Sequence, residues 1–180
     1  MKDLKDFTAT TFGLIIAFLL PGLACLYAFS FWSKRIEELF GTLVGNSATG
    51  GLYFLVVLIA IAVGLQMSVV RYIVFECWIC RSFKLQPQDF ESLSSDGKLV
   101  AFRSIVDDFY RYHQFWGAMA IIQIPLFYGW ISTQVSTKVP LCVSYIFAGL
   151  LEAATVFAAI VSYKRYVDRS RATLKGGNNA

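Results

Sequence analysis

Long apolar runs separated by shorter polar stretches set the pattern of this chain. About twenty apolar residues cross a hydrocarbon core of about 30 Å as a helix, with a range of about 17–25. Four stretches meet that requirement: 11–32, 51–73, 115–131 and 139–163. The runs are continuous rather than alternating, which excludes the strands of a membrane barrel. Lipid cannot satisfy exposed backbone groups, so such runs must be helical. The four tryptophans, Trp32, Trp78, Trp116 and Trp130, each fall near the end of a run. Tryptophan favours the membrane interface, where its ring is buried and its N–H stays hydrated. The pattern predicts an all-α integral membrane four-helix bundle, with residues 1–180 forming a single membrane domain.

The polar stretches carry their own periodicity. The second helix is expected to continue past the bilayer through Cys80, until Gln86-Pro87-Gln88-Asp89 breaks it. Ser94-Ser95-Asp96-Gly97 reads as a turn with capping residues. From Lys98 onward, Leu99, Phe102, Val106, Phe109, His113 and Trp116 recur at spacings of three and four. That spacing predicts a cytoplasmic amphipathic helix between spans two and three, running directly into span three. Arg103, Asp107 and Arg111 form a second stripe at i, i+4. The segment 81–112 reads either as an interfacial helix lying partly on the membrane or as a cytoplasmic interaction surface of Arg103, Asp107, Arg111 and His113. Between spans one and two, Ser33-Lys34-Arg35-Ile36-Glu37-Glu38-Leu39-Phe40 predicts a short interfacial helix. The loop between spans three and four is very short, so these two helices form an antiparallel pair.

Composition and charge sharpen this picture. The chain is 57% hydrophobic and only 16% charged, with a mean hydropathy of +0.58; a soluble domain carries about 25% charged residues. The net charge is +4, but the basic residues flank apolar runs instead of forming one patch, so no nucleic-acid partner is expected. With four spans, thirteen lysines and arginines share one side with the N-terminus, the middle loop and the tail. Only Lys34, Arg35 and Lys138 lie on the other. Positive residues stay inside, so both termini are expected to be cytoplasmic. The tail 164–180, with five basic residues, reads as a frayed topology anchor that binds acidic lipid. The N-terminal apolar run exceeds the core of a cleaved signal peptide, so it is expected to remain as span one.

Several short motifs resemble a known pattern. Leu20-Pro21-Gly22, Asp89-Phe90, Ala101-Phe102 and Tyr110-Arg111-Tyr112-His113-Gln114-Phe115 look like those of an uncharacterised family of small multispanning bacterial inner-membrane proteins. The pattern covers about two thirds of the chain. The resemblance implies a bacterial inner membrane and no particular activity.

Among residues that carry chemistry, Glu152 is the most informative. It lies about 18 Å from one end of span four and about 17 Å from the other, at 1.5 Å per residue. An ionisable group near the midplane is costly and marks a functional site by default. Gln123, near the middle of span three, and Gln66, on span two, are its candidate partners in a polar midplane cluster. Pro21 and Pro125 free carbonyls that a protonated Glu152 or the Gln123 amide could engage. The cluster either joins helices together or lines a path for an ion, a proton or water. Glu152 neighbours Gly149 and Ala153; with Ala60-xxx-Gly64 and Ala154-xxx-Ala158, these small residues point to helix association.

Cys77-Trp78-Ile79-Cys80 is a CxxC without the strand-helix context of a redox motif. With His113 it offers three zinc ligands where four are needed, so membrane-interface packing is the expected role. Arg71 and Glu76, five apart, read as snorkelling or pairing at the interface. His113 beside Asp107, Asp108 and Arg111 reads as a packed side chain rather than an acid–base catalyst. No phosphate loop, serine elbow or metalloprotease helix is present. No catalytic residue, metal or cofactor is therefore expected. The expected function is a non-enzymatic membrane subunit acting by assembly, as a homo-oligomer or with a partner protein. An oligomeric pore or permeability component, as in a bacterial defence system, is one form of it. The alternatives are a scaffold or sensor recruiting a soluble partner through 81–112, and a small ion or proton transporter.

Overall fold

The computed structural model describes residues 13, 15–45, 49–83, 85, 96–133 and 141–175, and every element in them is helical. Helix α1 (Ile15–Ser30) begins with a π-wound segment, Ile15–Leu19. This wider winding ends just before Pro21, whose ring would otherwise clash with the carbonyl four residues earlier. Helix α2 (Lys34–Val44) turns by 119° from α1. It is the short helix expected in the first connecting loop. Its apolar side is held by the Tyr27–Phe40 edge contact, 5.8 Å between centroids, and by Tyr53 donating to the Leu43 carbonyl at 2.7 Å.

Helix α3 (Gly50–Ile79) is α-helical to Arg71 and π-wound from Tyr72 to Ile79. Helix α4 (Asp96–Ile105) passes through a third π segment, Val106–Tyr110, into α5 (Arg111–Thr133). Helix α6 (Leu141–Lys175) closes the described chain. Three helical stretches, Gly50–Ile79, Arg111–Thr133 and Leu141–Leu174, are long and apolar enough to cross a membrane. A fourth span exists if α1 and α2 together count as one bent span.

Helix α5 packs against α1, α3 and α6, whereas α6 packs chiefly on α5. The α1–α3 contact is the tightest. A Cβ on Gly22 would strike the Ala60 carbonyl, and one on Gly64 would strike the Phe18 carbonyl. Only glycine lets two helix backbones approach this closely. The Ala60-xxx-Gly64 motif is thus used inside the chain, which corrects its assignment to assembly between chains.

Two further expectations change. The tail is not frayed over residues 164–175, because α6 continues through them. The amphipathic segment leaves only part of its apolar side free, because Phe102, Phe109 and Tyr110 rest on the α6 extension while Leu99 stays exposed. Phe102 and Tyr110 meet the Tyr166 ring at 6.4 and 5.0 Å, and the Arg169 guanidinium sits 5.7 Å over the Phe109 ring. The helix breaker expected at 86–89 lies outside the described residues.

Candidate functional site

Two polar layers occupy the helical core, at different depths. The deeper-set of the two in sequence terms is the pair Gln123 and Glu152. At 1.5 Å per residue, Gln123 is about 15 Å from the Thr133 end of α5 and Glu152 about 17 Å from the Leu141 end of α6. These depths match the middle of a hydrocarbon slab. Gln123 is buried, and Glu152 lies half-buried on the inward stripe of α6 between Ala148 and Thr155. Gln123 Oε1 and Glu152 Oε2 are both enclosed, and among the described residues both lack a hydrogen-bond partner. Gln66 does not join them: its side chain is exposed on the outer surface of α3. The three-residue cluster expected from the sequence is thus reduced to two residues whose buried oxygens are unsatisfied.

The second layer was not expected as a site. Arg71, His113 and Tyr163 all lie about 30–33 Å along their helices from the opposite ends, at 1.5 Å per residue. Arg71 is 2% exposed and His113 0%. Arg71 Nη1 donates to Glu76 Oε1 at 2.8 Å, and the Tyr110 hydroxyl donates to the same oxygen at 2.9 Å. The Arg71 guanidinium also stands 5.7 Å from the centre of the Tyr110 ring. His113 Nδ1 lies 2.9 Å from the Ala159 carbonyl, which accepts only, so Nδ1 carries the proton in the neutral ring. His113 Nε2 then has a free lone pair, 4.0 Å from Glu76 Oε1, and among the described residues neither it nor Arg71 Nε has a hydrogen-bond partner.

Local winding assembles this layer. In an α-helix, residues five apart project about 140° apart. In the π segment the backbone bonds i to i+5, as Cys80 N to Phe75 O does at 2.6 Å, and Glu76 returns over Arg71. Gly117 completes the space: a Cβ there would come within 2.9 Å of Arg71 Cγ. The Tyr163 ring covers His113 at 4.7 Å between centroids, and Phe75 meets it edge-on at 6.0 Å. An apolar layer of Phe75, Ala120 and Ala159 separates the two polar layers.

Burial first, and the Glu76 carboxylate second, push the Tyr110 hydroxyl up to about 12. Tyr110 therefore stays a donor at any physiological pH. Cys80 packs against Tyr163 and Val167, and burial followed by Glu76 raises its thiol above the usual range. Cys77 is half-buried, and both cysteines are free thiols. This fits the packing role expected for the CxxC.

The proposed interaction surface is split. Arg103 is exposed, and Arg111 Nε donates to Asp107 Oδ1 at 2.6 Å across one helical turn. Arg111 also fills the space over Gly13, where a Cβ would collide with it. His113 is fully enclosed and cannot belong to a surface, which corrects that assignment. The i+3 and i+4 spacing placed His113 correctly on the apolar stripe, and that stripe faces the protein.

Arg71 and Glu76 were visible in the sequence as charges at the end of an apolar run. The signal that would have revealed a site is the combination of Arg71 with Gly117 and with Tyr110 and His113 one turn apart. No family model, curated protein or solved structure matches this chain.

Proposed function

We propose that this chain is a non-enzymatic multi-pass subunit of a bacterial inner membrane that acts by self-assembly through α6. In this reading it has four spans, with α1 as the first, and both termini face the cytoplasm. The distribution of thirteen basic residues against three supports the orientation. The motif resemblance supports the bacterial setting.

Glu152 carries the reading. An ionisable group at the centre of a span costs about 2.5–3.5 kcal/mol on insertion scales and takes a partner or faces water. Among the described residues its Oε2 has no hydrogen-bond partner. It sits on α6 beside Gly149, over which no described residue lies within 4 Å, and beside exposed Ala153 and Ala154. The α6 of a second copy laid along these small residues covers the exposed part of the Glu152 side chain and removes it from lipid. An assembly that keeps Glu152 wet in a shared interior raises membrane permeability.

The scaffold reading keeps exposed Arg103 but not His113, which is enclosed. The test is the mass of the particle extracted with its native lipid. The wild type is expected as a multiple of the chain, Glu152→Gln likewise, and Glu152→Leu as single chains. A wild-type particle containing one chain refutes the proposal.

A further inference from the structure

The Arg71–Glu76–Tyr110–His113 layer is closed to bulk solvent, yet it leaves one acceptor and one donor unused. The arrangement is asymmetric. Three groups converge on a single carboxylate oxygen, Glu76 Oε1, and two of them, Arg71 and Tyr110, already donate to it. The third, His113 Nε2, faces it at 4.0 Å without a proton to offer, because the Ala159 carbonyl fixes the ring proton on Nδ1. A neutral histidine in solution can exchange its proton between the two nitrogens; this ring is held in one tautomer.

We propose that His113 is a proton-binding site, and that a proton taken up at Nε2 makes His113 compete with Arg71 for Glu76 Oε1. The step is a simple protonation. Nε2 gains N–H, the ring becomes a cation, and a charge-assisted hydrogen bond to Glu76 replaces an unfilled 4.0 Å approach. The charged and titratable groups that surround the ring are few. Arg71 and Glu76 come from α3, Tyr110 from the segment that leads into α5 and Tyr163 from α6, with Cys80, the residue after α3, and Tyr166 packed against Tyr163. One carboxylate then faces two cations, so the proton redistributes the pairing that holds the π-wound end of α3. Glu76 is drawn from its own helix toward α5. The ligand of this site is the proton, and the element that responds is Tyr72–Ile79. The inference does not depend on how α6 assembles.

His113 is the only histidine in the chain. Ring nitrogen resonances of histidine-labelled full-length protein in lipid nanodiscs therefore report this site alone. The spectrum is followed from about pH 8 to about pH 3, a range that brackets histidine protonation. The expected result is the Nδ1–H tautomer at the upper end and a doubly protonated ring in acid. In Glu76→Gln the acid transition moves to lower pH by about one unit or more, a tenfold change in proton affinity per unit. An Nε2–H tautomer in the wild type overturns the proposal, as does a ring that never gains a second proton. An identical transition in Glu76→Gln also overturns it. The tautomer measurement stands even where the variant does not fold.

Discussion

Arg71 and Glu76 are the residues on which the helical core turns from lipid-like packing to a polar junction. Removing one partner of a buried ion pair costs about 3–5 kcal/mol, because the other charge is left uncompensated. Arg71→Met and Glu76→Leu should each lower the unfolding midpoint sharply. The double variant should recover most of the loss, and a simple sum of the two single effects would show that the pair is not coupled. Gly117→Ala tests the same space. Its methyl group must displace the buried Arg71 stem, at a cost of about 1–3 kcal/mol.

Tyr110 gives a prediction against pH. Its hydroxyl is held up to about 12 in the fold, above the value of about 10 for a free phenol. The stability this contributes is complete below about pH 10 and is lost as pH rises through about 12. The wild-type unfolding midpoint should fall more steeply across that window than that of Tyr110→Phe; parallel curves would remove the hydroxyl from the account.

At this scale the sequence was legible in part. The mid-depth placement of Glu152 and Gln123 followed from counting residues along apolar runs. The Arg71–Glu76 contact did not, because a spacing of five separates residues in an α-helix and joins them only in a π segment. Nothing in the local composition announces that change of winding.

Among the elements, small residues divide into two groups with opposite surroundings. Gly22 and Gly64 are pressed against backbone carbonyls of the facing helix, while Gly149 has open space over it. Gly64→Leu should therefore prevent α1 from docking and abolish folded protein in the membrane. Gly149→Leu should leave the fold of each chain intact and weaken only its association. Helical content and protease resistance distinguish the two outcomes, and equal damage from both would contradict the division. Small-xxx-small motifs were readable in the sequence, but not which partner each one takes. That choice is made by the surrounding side chains on both helices.

The helix pair of α4 and the α6 extension shows the same limit. The amphipathic stripe from Leu99 to Trp116 was correctly expected to be helical. Its partner was missed because the basic tail looked like a solvated anchor, whereas Tyr166 and Arg169 make it a packing surface for Phe102, Phe109 and Tyr110. The thiols report on this region. A membrane-permeant maleimide should label Cys77 and spare Cys80, which lies against Tyr163 and Val167. Labelling of both at equal rates would show that the end of α3 is open.

As a whole, the molecule centres on α5; α3 leaves one side uncovered, and so does α6. Along that side Leu150, Phe157 and Ile146 face outward together with the small residues around Glu152. Lipid can cover the apolar groups, but it offers nothing to the carboxyl. The long apolar helices were legible from hydropathy alone. The site at the basic end was not, because it depends on three helices meeting at one level.

The most direct measurement is disulfide cross-linking of Gly149→Cys in native membrane vesicles, with Cys142 replaced by serine to remove the exposed native thiol on the same helix. The expected result is a product at twice the chain mass that Glu152→Leu suppresses, and no such product from an equivalent cysteine at Phe147, which is exposed about 160° round the helix from Gly149. A Gly149→Cys chain that remains single, or that cross-links no better than the Phe147 control, would contradict assembly through α6.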